Sequence, residues 1–122
     1  MDKFTQDFFD KMIEFFPATR QEYNKSIEEN GEILETVIIE DIFMPKILKL
    51  LYADKETTKI QAIFNYIEEV VNSDNYLRDV LSITMMEILG NDIKVLKIAQ
   101  KYMGKTSIKL QIETNRDLGR CI

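Results

Sequence analysis

The stretch Leu34-Glu-Thr-Val-Ile-Ile-Glu-Asp-Ile-Phe-Met-Pro-Lys-Ile-Leu-Lys-Leu-Leu51 decides how the rest of the chain is read. Val37, Ile38, Ile39, Ile42, Phe43, Met44, Ile47, Leu48 and Leu51 recur at helical spacing and leave no wide polar side. A helix that is apolar nearly all round belongs at the centre of its fold, so this one is expected to be the most buried. Pro45 removes a backbone donor and crowds the preceding turn, so it should bend or divide the helix.

Working outward, the periodicity stays helical on both sides. Phe4, Phe8, Phe9, Met12, Ile13 and Phe16 form an apolar stripe that Pro17 ends. Thr19-Arg-Gln-Glu22 has the T-x-x-E spacing of a capping box, which predicts a second helix closing at Asn30-Gly31 on a left-handed residue. Its apolar face is thin, chiefly Tyr23 and Ile27. Downstream, Ile60, Ile63, Phe64, Ile67, Val70 and Val71 make one helix. Ser73-Asp74 reads as a turn and N-cap, and Leu77, Val80, Leu81, Met85, Ile88 and Leu89 make the next helix, closed by Gly90-Asn91. Asp92 caps a sixth helix through Val95, Leu96, Ile98, Ala99, Tyr102 and Met103. Gly104 breaks it, and Ile108 and Ile112 mark a weaker last helix. Ile108-Lys-Leu-Gln-Ile112 comes closest to strand alternation.

The resulting fold class is all-α, a single domain of about six to seven helices over residues 1–122. Residues 1–31 form an acidic N-terminal helical hairpin and residues 32–122 form core helical pairs. Helix starts near Leu34 and Asn75, and near Thr57 and Ile93, are offset by about 36–41 residues, within the range of two-helix solenoids. A bundle and a short HEAT-like α-α superhelix are both compatible with that spacing.

Composition removes most catalytic chemistry. The 122 residues contain no His, so the commonest general base and zinc ligand are missing. The single Cys, Cys121, excludes an intrachain disulfide and any cysteine cluster, and fits a reducing compartment. Four isolated Gly build no phosphate-cradling loop, and no calcium-loop motif occurs. Glu28, Glu32 and Glu35 have helical spacing, but Gly31 interrupts them, which favours a solvated acidic face over a carboxylate pair. The methionines Met12, Met44, Met85, Met86 and Met103 fall on core stripes. These observations point to a protein that is not an enzyme and needs no cofactor or metal. Met1-Asp-Lys-Phe4 has neither the basic start nor the apolar stretch of a signal peptide, and no apolar run is long enough to span a bilayer. A cytoplasmic location is the expectation.

Charge is the informative remainder. Residues 1–45 carry eleven acids against Lys3, Lys11, Arg20 and Lys25, net −7, whereas residues 46–122 carry 12 bases and 10 acids, net +2. Within 26–45 no basic residue interrupts Glu28, Glu29, Glu32, Glu35, Glu40 and Asp41. A purely solvating helix interleaves Lys with Glu, so this group reads as an electrostatic face for a basic protein, with Tyr23 and Phe43 as its aromatic anchors. The row Lys94, Lys97, Lys101, Lys105 and Lys109 reads as the polar side of the sixth helix. It has no interleaved aromatics, and neither nucleic acid nor membrane is an expected partner.

Three segments carry a resemblance. Leu34-Glu-Thr-Val-Ile-Ile-Glu-Asp-Ile-Phe-Met-Pro45, Glu87-Ile-Leu-Gly-Asn-Asp92 and Leu110-Gln-Ile-Glu-Thr-Asn-Arg-Asp-Leu-Gly-Arg120 resemble those of a family of small helical bacterial proteins. That family is similar in size and helical plan to immunity proteins of contact-dependent toxin systems. The resemblance implies an antitoxin that binds and neutralises a cognate toxin protein; it transfers no residue-level role. A basic, nuclease-type toxin matches the acidic face. The alternative is a HEAT-like interaction scaffold or adaptor with no toxin partner. The oligomeric state is left open by the sequence.

Overall fold

The Asp2 carboxylate accepts the Thr5 backbone N–H at 2.8 Å and starts the first helix, α1, Lys3–Phe15. The computed structural model describes residues 2–73 and 75–120; the Asp74 cap and the Cys121 thiol lie outside them. Pro17 ends α1 as expected, and α2 follows as Thr19–Asn30, closed by left-handed Gly31 at φ +69°. The expected capping box does not form. Ala18 is already helical, so Thr19 stands inside the helix, and its hydroxyl donates to the Phe16 carbonyl at 2.6 Å. Glu22 instead reaches Lys46, at 3.9 Å.

The apolar stretch forms one continuous helical rod: α3 (Glu35–Ile38), a wide π turn (Ile39–Phe43) and α4 (Met44–Ala53). Pro45 therefore neither breaks the rod nor simply kinks it. Lacking an N–H, Pro45 cannot donate to Asp41, and the Met44 N–H reaches back five residues to the Ile39 carbonyl.

Then come α5 (Thr57–Val71), α6 (Tyr76–Leu89), α7 (Ile93–Gln100) and α8 (Lys105–Asp117), making seven helical rods and no strand among the described residues. The Asn75 and Asp92 side chains cap α6 and α7. The centre is α6 and not the stretch 34–51. Half of its residues are buried, and it touches α8, α5, the π turn, α4 and α7. A two-helix solenoid would stack α5 on α7 as it stacks α4 on α6. Here α7 packs on α4 while α5 packs on α8, which is a bundle around α6. One apolar core runs from Phe8 and Phe9 in α1 to Leu110 in α8.

The last helix is a regular helix through Ile108–Ile112, and it buries a polar face. Ser107, Gln111, Thr114 and Asn115 are all buried. Gln111 Nε2 donates to the Met86 carbonyl at 2.8 Å and to Asn115 Oδ1 at 3.0 Å. Arg120 donates to the Glu87 carbonyl at 3.1 Å and to Asn91 Oδ1 at 2.5 Å. Segments 87–92 and 110–120 thus meet and lock each other. At the other end, Glu68 of α5 caps α8, accepting the Thr106 and Ser107 N–H groups at 2.9 and 2.8 Å.

Candidate protein-interaction surface

The acidic residues sort by the element that carries them. Because α2 buries only Thr19 and Tyr23, its outer side leaves Glu28 and Glu29 in solvent. It packs on the π turn, where Ile39, Ile42 and Phe43 point inward and Glu40 and Asp41 are exposed. Between them lies an open groove of about 330 Å³ whose lining includes Glu22, Lys25, Ser26, Glu29, Asp41 and Ile42. The fold thereby brings together Glu29 and Asp41, twelve positions apart in sequence.

Lys25 lies 3.8 Å from Glu29 and Lys46 lies 3.9 Å from Glu22, and all four side chains are well exposed. Exposed pairs of this kind are weak and salt-screened. Among the described residues no ion pair reaches Glu28, Glu32, Glu40 or Asp41, so the face stays negative. Glu32 is exposed beyond the Gly31 turn.

Three of the expected site residues are placed elsewhere. Tyr23 is only 7% exposed and meets Phe9 edge-on at 5.7 Å. Phe43 is fully buried, 5.9 Å from the same ring. Neither can anchor a partner from the surface; they pin α1, α2 and the π turn together. The thin stripe of α2 held the clue, since its one large aromatic has to serve as its core contact. Glu35 is half-buried at the seam with α6, where its negative charge raises the Tyr76 phenol above its ordinary value. Its Oε2 is buried and takes no hydrogen bond among the described residues.

The exposed aromatics are others, Phe4 at 58%, Tyr76 at 57% and Tyr52 at 56%. Tyr76 opens α6 about a quarter-turn from the centre of the Leu77, Val80 and Leu81 face, on the same side as exposed Ile83, an edge position that a helical wheel would have shown. The lysine row is split between two helices. Lys94 and Lys97 lie on α7 and Lys105 and Lys109 on α8, while Lys101, just past α7, binds Asp54 at 2.5 Å. Asp54 ends α4 in a left-handed conformation, and Lys101, then the Tyr102 hydroxyl, hold its carboxyl below the ordinary range.

Among the described residues no group of three or more acidic, Cys or His side chains could hold a metal ion. No described helix is long and apolar enough to cross a membrane. Fold and surface together define an all-α bundle that carries an acidic groove between α2 and the π turn. The chain belongs to the family described as Domain of unknown function (DUF7674), whose model matches residues 9–118, from the middle of α1 to the end of α8. No curated protein and no solved structure matches it.

Proposed function

We propose that this protein is a cytoplasmic, non-catalytic binding module, an immunity protein that neutralises a toxin of basic, nuclease type by docking it on the α2–π-turn face. The observation that carries the proposal is the convergence of Glu29 and Asp41 from two elements on one groove, with Glu28 and Glu40 exposed beside them. Such a field steers a basic partner and speeds its encounter. The groove floor at Ile42 offers apolar contact, and the rim offers charge.

The test is calorimetry and association kinetics with the protein encoded beside it. Binding tighter than micromolar to a toxin domain supports the proposal. A neighbour that binds but is no toxin turns the protein into a scaffold, and a neighbour that does not bind removes the reading. Reversing Glu28, Glu29 and Asp41 to Lys should slow association about ten-fold or more at low salt, and less as salt screens the field. The matched control is Lys94, Lys97 and Lys109 to Glu, which leaves the Lys101–Asp54 contact intact.

A further inference from the structure

A second concave feature lies away from that groove. Between α1, α5 and the start of α6 is a cavity of about 240 Å³ lined by Phe4, Asp7, Tyr66, Glu69, Val70 and Leu77, among others. It is smaller than the roughly 300–1,000 Å³ of small-molecule sites, a size that suits one inserted side chain. We propose that this cleft is an arginine pocket, which receives a guanidinium from an exposed basic segment of a partner protein.

The chemistry of the lining argues for that occupant. Asp7 and Glu69 come from two different helices and both are exposed, so they offer carboxylates from two sides. A planar guanidinium can fork to two such acceptors, whereas an ammonium acts as a point charge. Phe4 stands 58% exposed at the rim with no cation near its ring among the described residues. An aromatic face beside carboxylates is where arginine stacks, and Val70 and Leu77 suit its methylene stem.

The local field has an internal reporter. Burial, then the charges of Asp7, Glu69 and Asp10, push the Tyr66 phenol up to about 12. The basic groups nearby, Lys3 and Lys11, are outnumbered by Asp7, Asp10, Glu14 and Glu69. Lys11 lies 3.6 Å from Glu14, 5.3 Å from the centroid of the Phe15 ring and 5.9 Å from that of Tyr66, a cation already held against this aromatic wall. Lys3 points to solvent. The inference stands apart from the toxin reading, because none of these residues belongs to the α2–π-turn groove.

The test is a titration of the isotope-labelled full chain with hexa-arginine and hexa-lysine peptides, followed by amide shifts. The expected result is perturbation centred on Phe4, Asp7, Tyr66, Glu69 and Leu77, with the arginine peptide at least five-fold tighter. The isosteric pair Asp7→Asn and Glu69→Gln should weaken it at least five-fold, and Phe4→Ala should narrow the preference for arginine. Glu29→Gln with Asp41→Asn should leave this response unchanged while removing any response at the other groove. Unchanged shifts, shifts centred on α2, shifts spread evenly over all acidic residues, or equal affinity for the two peptides would each overturn the pocket. The variants change exposed side chains, and their circular dichroism should match the parent.

Discussion

Gly90→Ala is the most demanding test of how the last helix is held. Gly90 closes α6 with ordinary helical angles, φ −80° and ψ −7°, so the backbone itself would accept alanine. Space forbids it. A Cβ there would stand 2.5 Å from Arg120 Nη1, 2.5 Å from Asn115 Oδ1 and 2.9 Å from Gln111 Nε2. Arg120 is a long side chain whose tip can swing away. Asn115 and Gln111 are buried, and Gln111 donates both to Asn115 and to the Met86 carbonyl, so displacing them breaks that set. Overpacking of this kind costs about 1–3 kcal/mol, and the smaller entropy of an unfolded chain with alanine offsets about 0.4–1 kcal/mol. The two ranges leave a net loss of about 0–2.6 kcal/mol, centred near 1.3 kcal/mol, which for a domain of this size lowers the melting temperature by roughly 5 °C. Thermal melts followed by circular dichroism measure it. A double-mutant cycle with Asn115→Ala should show coupling of about 0.5 kcal/mol or more, because the second change removes one clashing atom. A Gly90→Ala protein that melts above the parent would refute the close packing of segments 87–92 and 110–120.

Phe43→Ala should cost about 3–5 kcal/mol in urea unfolding, because its ring is wholly buried against Phe9; a loss below about 1 kcal/mol would mean the ring faces solvent after all. Burial works to raise the Glu68 carboxyl, but the Thr106 and Ser107 donors outweigh it and hold it below 4.5. A depressed folded value means the cap stabilises the protein above pH 4.5 and is lost as the pH falls through the lower folded value. Glu68→Gln should therefore be less stable than the parent at pH 7, with the difference shrinking on acidification below pH 4.5 in melts taken across that range. A difference constant with pH would remove Glu68 as an ionised cap.

The helices with clean stripes, α1, α5 and α7, were legible because their buried residues, Thr5 of α1 apart, are apolar and recur at helical spacing. The last helix was expected from Ile108 and Ile112, but its buried face was not legible: Ile112 is exposed, while Ser107, Gln111, Thr114 and Asn115 face inward with their own hydrogen bonds, and a polar residue carries no sign of burial in a sequence. The central role went to the wrong helix for a related reason. The buried residues of α6 include Thr84, which adds nothing to an apolar count, whereas the stretch 34–51 counts Val37 and Leu48, both only partly buried. At the candidate surface, charge was legible because Glu and Asp stay in solvent wherever a helix places them. The aromatics were not, because a ring is at home on either side and only the neighbouring elements decide. Lys46 was also out of view: it lies twenty-four positions from Glu22 and meets it only through the packing of α2 against the rod.

The π turn is where the core and the acidic face depend on the same backbone feature. Ile39, Phe43, Ile47 and Leu51 are spaced four apart, and all are at most 1% exposed. In a regular helix of 3.6 residues per turn each such step overshoots by about 40°, so three steps would carry the last side chain about 120° off the core. One wide turn absorbs an extra residue and returns Met44, Ile47 and Leu51 to the side that Ile38 and Ile39 occupy. Regularising the turn would rotate one half of the rod by about 100° and strip several large side chains from the core, at about 1.5–3 kcal/mol each. A recovered backbone hydrogen bond contributes only about 0.5–1.5 kcal/mol, so packing and not Pro45 alone holds the π geometry. The same geometry leaves Glu40 and Asp41 on the outer side, with Asp41 facing Glu29 across the groove. The acidic face is therefore fixed to the most tightly packed part of the rod, and a partner meeting it would find the carboxylates already in position.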